Sequence, residues 1–212
     1  MALKKAPAGG PAGTALRRVE PREYPRDLDG LCAQLADPDP GVRRWAARDL
    51  AACPQAAGYL AARLPVDGDA SVRAVLFSSL AQIGGATVVD AVLPLLRSED
   101  AMLRNGAIEL LAGLPEAVAP RIEALLADAD SDVRIFSVNL LGLLPHPSVP
   151  QWLAQVLQRE HEPNVVGAAL DVLAEVGGPE LARPLRQTMA RFADEPFITF
   201  AAELVLQRIE AT

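Results

Sequence analysis

Few residues of this chain are suited to catalysis or metal binding. Among its 212 residues there are two histidines and two cysteines, and aromatic side chains make up 4%. A catalytic or metal centre needs several such groups in a fixed arrangement, but His146 and His161 fall in predicted turns without partners at metal-ligand spacing. We therefore predict no catalytic residue, no metal site and no cofactor, and we favour a non-enzymatic protein.

The glycines and cysteines do not indicate a chemical site either. Gly84-Gly85 and Gly177-Gly178 recur at one position of the repeat described below, which is typical of turns rather than of a phosphate-binding loop. Cys32 and Cys53 lie on apolar helical stripes. We interpret them as core thiols, with a disulfide or a metal pair as the alternative.

Long apolar runs of the kind that cross membranes are also missing. Residues 135–158 contain no Asp, Glu, Lys or Arg, but Pro145, Pro147 and Pro150 interrupt them. This pattern favours a helix end, a loop and the next helix over a membrane span. The first residues lack the apolar segment of a secretory signal. We therefore expect a soluble cytoplasmic protein.

The net charge is distributed unevenly. Residues 1–26 carry six basic and two acidic side chains, a net charge of +4, whereas the remaining residues carry −11 and the whole chain −7. An acidic body argues against nucleic acid as the partner, because phosphate contacts dominate such affinity. The Pro, Gly and Ala content of residues 1–26 predicts a flexible basic tail. Contact of this tail with an acidic partner or a membrane surface is the alternative.

The chain does contain a six-fold repeat with a period of 30 to 33 residues. One apolar residue recurs at the same position of every repeat and defines a column. The residue four positions later is mostly small, and the residue eight positions later is a leucine. An apolar residue follows at eleven, and this spacing marks one face of a helix. Three residues before each member of the column lies an acidic residue, which we predict to be the N-cap of the helix. The column consists of Val42, Val72, Leu103, Val133, Val165 and Ile198.

A second apolar stripe precedes each of these helices, so each repeat is predicted to be a helical hairpin. One hairpin cannot bury its apolar side alone, but stacked neighbours can. We therefore predict an all-α fold, an α-solenoid of about six stacked helical hairpins over residues 27–212. The predicted repeats are approximately residues 27–53, 54–84, 85–114, 115–144, 145–177 and 178–210.

Four short motifs resemble HEAT repeats in their short bacterial form, which is related to the phycobilisome-lyase type. They are Asp39-Pro-Gly-Val-Arg43, Asp69-Ala-Ser-Val-Arg73, Asp100-Ala-Met-Leu-Arg104 and Asp130-Ser-Asp-Val-Arg134. The resemblance covers about residues 27–210. It implies that the second helix of each hairpin lines a concave side and that the arginine bonds the turn of the next repeat. Val166 and Thr199 replace the arginine in the last two repeats.

The same motifs place an aspartate four residues before an arginine. Acid before base at i, i+4 is the favourable order on a helix, and its recurrence at one register predicts a structural ladder along the stack. A groove for carboxylate or phosphate made from the same arginines is the alternative. The ladder residues are Asp39, Arg43, Asp69, Arg73, Asp100, Arg104, Asp130 and Arg134.

The face of each second helix opposite the core is the predicted partner-binding surface. Along the stack its residues change from basic through small and polar to acidic and then apolar. Small residues there would let a helix or an extended segment approach closely, and the two asparagines could bond a partner's backbone. An ordinary solvated face is the alternative. The candidates are Arg44, Arg48, Asn105, Glu109, Asn139 and Asp171.

The last predicted helix carries further candidates in Phe197, Phe200 and Leu204. A terminal repeat is normally polar on its outside. These side chains could pack on Met189 and Phe192 of their own repeat. The alternative is an apolar docking face or a homodimer contact through the C-terminal repeat.

Three functional hypotheses follow. The first is a non-catalytic protein-binding scaffold or adaptor that holds a segment of a partner protein along the concave face. The second, implied by the resemblance, is an accessory protein that handles a chromophore or cofactor, as bilin lyase subunits do. The third is a DNA-binding glycosylase of the HEAT-like type, suggested by Trp45, Arg44 and Arg48 and opposed by the acidic body.

Overall fold

The computed structural model describes residues 24–211, and over these residues the chain forms twelve α-helices and no strand. The predicted all-α class is confirmed. The helices are α1 (Leu28–Gln34), α2 (Pro40–Leu50), α3 (Ala57–Arg63), α4 (Ala70–Ile83), α5 (Gly85–Val92), α6 (Ala101–Ala112), α7 (Pro115–Leu126), α8 (Ser131–Leu143), α9 (Val149–Arg159), α10 (Pro163–Val176), α11 (Ala182–Arg191) and α12 (Pro196–Glu210).

Consecutive helices form six hairpins, which we propose as the repeat units. The even-numbered helices pack on one another in chain order, and α3, α5, α7, α9 and α11 form a second layer in the same way. The core lies between the two layers. None of the helices between residues 24 and 211 combines the length and the apolar composition that a bilayer-crossing segment needs.

Acidic caps start the even-numbered helices. The side chains of Asp39, Asp69, Asp100 and Asp130 each accept a hydrogen bond from a backbone N–H in the first turn, which satisfies donors that have no partner inside the helix. In α10 and α12 the cap position is a glutamate without such a bond, and a proline follows it. These caps fix where each hairpin turns.

The odd-numbered helices are less regular because of proline. Pro94 lies in a 3₁₀ turn (Leu93–Arg97) that extends α5, and another 3₁₀ turn (Pro179–Leu181) precedes α11. Pro120 lies inside α7. Proline removes a backbone donor and clashes with the preceding turn, which is consistent with the 3₁₀ turns beside α5 and α11, although α7 continues through Pro120.

Residues 1–23 of the predicted tail lie outside the described part of the chain. Residues 24–26 contact the first hairpin: the Tyr24 hydroxyl donates to Asp37 at 3.1 Å, and the Arg26 guanidinium donates to Asp49 at 2.6 Å. This short segment therefore lies against α1 and α2.

The ladder arginines bond to the turns of neighbouring hairpins. Arg43 donates through two nitrogens to Asp67 at 2.7 and 2.9 Å, Arg73 donates to Asp100 at 2.7 Å, and Arg134 donates to Glu160 at 2.7 Å. Each also donates to a backbone carbonyl in the turn before its own helix. Each of these arginines therefore links two successive turns.

The aspartate and the arginine of one repeat do not pair with each other within residues 24–211, because the aspartate is engaged as the helix cap. Arg104 departs from the pattern. It donates to the Ser98 carbonyl at 2.8 Å, and its guanidinium lies 4.3 Å from the centre of the Phe136 ring. An aromatic ring thus takes the place of the acid in the third repeat.

Among residues 24–211, the most enclosed ionic group is Asp67, which has no solvent-exposed surface. Arg43, Arg63 and the Asp69 N–H all donate to its carboxylate. Burial raises the pKa of Asp67, but these hydrogen bonds and the charge of Arg43 outweigh it and hold the pKa at about 2, below the ordinary 3.8. The carboxylate is therefore charged and fully partnered inside the turn between α3 and α4.

We predict that Asp67→Asn lowers the free energy of unfolding by about 3 kcal/mol, because it leaves the Arg43 charge inside the turn without its partner. Urea unfolding followed by circular dichroism measures this loss. Asp90→Asn is the control, since it removes an acid whose bonds to Arg121 lie on the exposed surface and should cost far less.

The loss of stability in Asp67→Asn should depend on pH, and the pKa of Asp67 fixes the direction of this dependence. The folded-state pKa of Asp67 lies below its ordinary value, so its contribution to stability is complete above pH 3.8 and is lost as the pH falls towards about 2. The stability gap between the natural chain and Asp67→Asn should shrink over this range. A gap that is constant with pH, or equal losses in Asp67→Asn and Asp90→Asn, would contradict the assignment.

Candidate binding surface

The exposed sides of α2, α4, α6, α8, α10 and α12 form one surface, which we call the even-helix face. The predicted candidates Arg48, Asn105, Glu109, Asn139 and Asp171 are exposed on it. Arg44 is half-buried, and its guanidinium donates to the Ser71 hydroxyl of α4 at 2.7 Å. The candidates are spread along the stack and do not form one compact site.

The centre of the even-helix face contains a groove between α4 and α6. Its volume is about 630 Å³, within the range of about 300–1,000 Å³ that is usual for binding sites. Asn105 and Glu109 line it together with apolar and small side chains, and Met102 stands at its rim with 75% of its surface exposed. The lining residues include Ala74, Phe77, Ser78, Ala81 and Gly106.

Contact between Phe77 and Gly106 shapes this groove. A β-carbon placed on Gly106 would lie 2.6 Å from Cε2 of the Phe77 ring, which is closer than atoms approach in proteins. The ring therefore occupies the space that a side chain at position 106 would take. The sequence predicts Asn105 and Glu109 on this face but does not reveal the groove. A lone glycine inside a regular helix was the signal that could have indicated a close contact.

At the N-terminal end of the stack, a second cleft of about 480 Å³ is lined by two aromatic side chains, one arginine, two aspartates and neighbouring residues of α1 and α2. Arg48 lies 5.0 Å from the centre of the Trp45 ring, which is 62% exposed. Trp45 lines this cleft with Arg26 and Asp49, which pair with each other. Most polar groups of this cleft thus already form hydrogen bonds or ion pairs within the chain.

At the C-terminal end, Phe197, Phe200 and Leu204 are 64%, 61% and 50% exposed. The expected packing of these side chains inside their own repeat is therefore not found in the structure. Phe192, the proposed packing partner, is buried in the core instead. Three large apolar side chains on one helix remain available to a binding partner.

No group of three or more His, Cys, Asp or Glu side chains that could hold a metal ion occurs between residues 24 and 211. His146 stacks on Trp152 with 4.8 Å between ring centres, and its Nδ1 accepts a hydrogen bond from the Ser148 N–H. Cys32 and Cys53 are free thiols, and burial together with the nearby Asp29 raises the pKa of Cys32. The contacts of His146, Cys32 and Cys53 are thus of the kind that structural residues make.

Comparison with known proteins defines the class of this fold. Residues 28–112 and 118–207 match the family described as HEAT repeats. The chain belongs to the HEAT-repeat family, as the motifs around the ladder arginines predict. This family assignment accounts for the hairpin architecture and for the two helix layers.

Two relatives carry the name bilin biosynthesis protein PecE. The protein from Mastigocladus laminosus is 32% identical over 159 residues, which cover 69% of this chain and 58% of the relative. The protein from a Nostoc strain is 32% identical over 145 residues, covering 64% and 56%. The chain thus spans little more than half the length of the curated relatives it matches.

Among solved structures, a designed armadillo repeat protein is similar with a TM-score of 0.41 and 17% identity, over 86% of this chain and all of that chain. The complex of CpcE and CpcF of phycocyanin lyase from Nostoc is similar with a TM-score of 0.33 and 16% identity, over 90% of this chain and 99% of that chain.

The Phe77–Gly106 contact yields a test of the groove. We predict that Gly106→Ala lowers the free energy of unfolding by about 1–3 kcal/mol, because its methyl group displaces the Phe77 ring. Thermal and urea unfolding measure the loss, and adding Phe77→Leu to the same chain should recover part of it.

Gly58→Ala is the matched control, since Gly58 lies in the first turn of α3 and, apart from the local backbone, no atom is within 4 Å of the added carbon. Alanine is the better helix former there, so this change should raise stability by about 0.5–1 kcal/mol. If both alanine variants were stabilised alike, the close approach of the ring to Gly106 would be disproved.

Proposed function

We propose that this chain is a non-catalytic HEAT-repeat scaffold that binds a segment of a partner protein along its even-helix face. The groove between α4 and α6 is the observation that carries the proposal. Its lining is mainly apolar and small, and it includes the polar side chains of Ser78, Asn105 and Glu109. A groove of this form accepts a helix or an extended segment through apolar anchors, while the polar side chains fix its position.

The arrangement of the two layers supports this function. Stacked hairpins with a continuous core hold their exposed side chains in fixed positions along an extended surface. The even-helix face offers anchors at three places: Trp45 with Arg48, the central groove, and the apolar side chains of α12. A partner segment that reaches two of these places would gain affinity from both.

Partner binding should be sensitive to changes on the even-helix face. We predict that Ala81→Trp, which fills the groove, lowers recovery of the natural partner without changing helicity. Arg48→Glu and Leu204→Asp should do the same at the two ends of the face, because they reverse a charge and place a charge in an apolar contact. Affinity purification from the natural host with quantitative mass spectrometry measures recovery.

Ala62→Trp is the control, since it places the same bulk on exposed α3 of the other layer. It should leave recovery unchanged, and circular dichroism should be the same for all four variants. Full recovery of the partner by every even-helix variant would reject the proposed surface.

A second candidate function is handling of a linear tetrapyrrole. It is favoured by the similarity to two relatives named for bilin biosynthesis and by a groove large enough for a small molecule. In this role the groove would hold the chromophore against Phe77 and Met102, and Asn105 would orient its polar edge.

Absorbance spectroscopy tests the second candidate. If the groove holds a tetrapyrrole, titration of the purified chain with biliverdin should shift and intensify its long-wavelength band. Ala81→Trp should abolish the shift by filling the groove, whereas Ala62→Trp should not affect it. An unchanged biliverdin spectrum at every protein concentration would remove this candidate and leave the protein-binding proposal intact.

A further inference from the structure

The exposed apolar side chains of α12 lie on its even-helix face rather than at the end of the stack. Phe197, Phe200 and Leu204 are spaced i, i+3, i+7 and form one stripe. Phe197 lies against Gly167 of α10, 3.2 Å from the position of an added β-carbon. This contact turns the stripe towards the preceding even helix.

The side of α12 opposite Phe197 exposes two carboxylates, and its apolar residue Leu206 is half-buried. At 3.6 residues per turn, Thr199, Glu203 and Glu210 lie about 120° or more around the helix axis from Phe197. An apolar seam for a further hairpin would lie on that side. The apolar stripe is therefore not a stacking seam, and it is placed to receive something that lies along the face.

The surroundings of the stripe are acidic. Asp171 lies one turn along α10 from Gly167, and Glu175 follows one turn later on the same helix. Both are exposed, as is Glu203 on α12. Three exposed carboxylates thus lie on α12, which carries the stripe, and on α10, which packs against α12.

The basic side chains of α8, α10 and α12 are outnumbered by these acids. They are Arg134, which donates to Glu160 and to the Asp128 carbonyl, and Arg208, which donates to the carbonyls of Leu173 and Gly177. Both guanidinium groups are directed to acceptors of the protein itself. Arg208 keeps its positive charge while bonded to neutral carbonyls, so the surface around the stripe holds three carboxylates against one guanidinium and its net charge is negative.

We propose that this patch, the exposed stripe of α12 with Asp171, Glu175 and Glu203, binds an amphipathic helix that carries leucine or phenylalanine on one side and lysine or arginine beside it. The apolar side would cover the i, i+3, i+7 stripe, and the basic side chains would face the carboxylates. This inference rests on the proposed function, because it names the chemistry of the partner at one end of the even-helix face.

Charge favours such a partner over a second copy of this chain. A two-fold symmetric contact places the same patch of both copies face to face. Two surfaces that each carry a net negative charge would then be brought together, and like charges across an interface are unfavourable. A basic helix meets no such repulsion.

Direct binding of a synthetic peptide tests the proposal with the full chain. The probe is a fluorescein-labelled helix of about five turns with leucine on one side and lysine on the other. It is compared with the same peptide carrying glutamate in place of lysine, and with a peptide of the same composition without the leucine stripe. We expect fluorescence anisotropy to show binding of the first peptide and at least tenfold weaker binding of the other two.

Variants then locate the binding. Phe200→Ala should weaken it about tenfold, since burying a phenylalanine is worth roughly that much, and Glu203→Gln about threefold with a weaker salt dependence. Tyr59→Ala and Glu123→Gln, which change an exposed aromatic and an exposed acid on α3 and α7, should change nothing.

Equal binding of the lysine and glutamate peptides, or full affinity in Phe200→Ala, would overturn the proposal. So would sedimentation of the chain as a dimer that Phe200→Ala dissociates, since a second copy would then cover the patch. The assay uses purified components, so its result is independent of whether the groove variants lose the natural partner in the host.

Discussion

Each hairpin of this protein buries its apolar side only by stacking on the next hairpin. The residues four positions after the repeat column have no exposed surface in any of the six repeats, and four of these six are alanine. Val42 and Leu206, at the two ends of the stack, are half-buried where their counterparts inside it are enclosed. The exposed surface is thus positioned by contacts between neighbours rather than by one central core.

The hydrogen bonds of the arginines connect successive turns, whereas the apolar contacts connect successive helices. Arg43, Arg73 and Arg134 each join the turn before their own helix to the turn of the next hairpin. A planar guanidinium with several donors suits this double task better than a lysine would. The aspartate four residues before each of these arginines caps its helix, and Asp100 caps α6 through one carboxylate oxygen while it accepts from Arg73 through the other.

The helices, their start points and the buried columns can be predicted from the sequence, because periodicity and capping act within one repeat. Which acid each arginine meets cannot be predicted in the same way. Asp67 belongs to the turn between α3 and α4, and its contact with Arg43 depends on how two hairpins stack. The groove likewise depends on the distance between α4 and α6, which Phe77 and Gly106 set across two repeats.

The proposed function follows from the continuity of the even-helix face, and its most direct test is the location of the bound partner. A photo-reactive phenylalanine derivative placed at Ser78, inside the groove, should give covalent adducts with the partner in the living host. The same group at Ala62, on the other layer, should give none. Adducts from position 62 with none from position 78 would show that the partner binds the opposite side of the stack and would contradict this account.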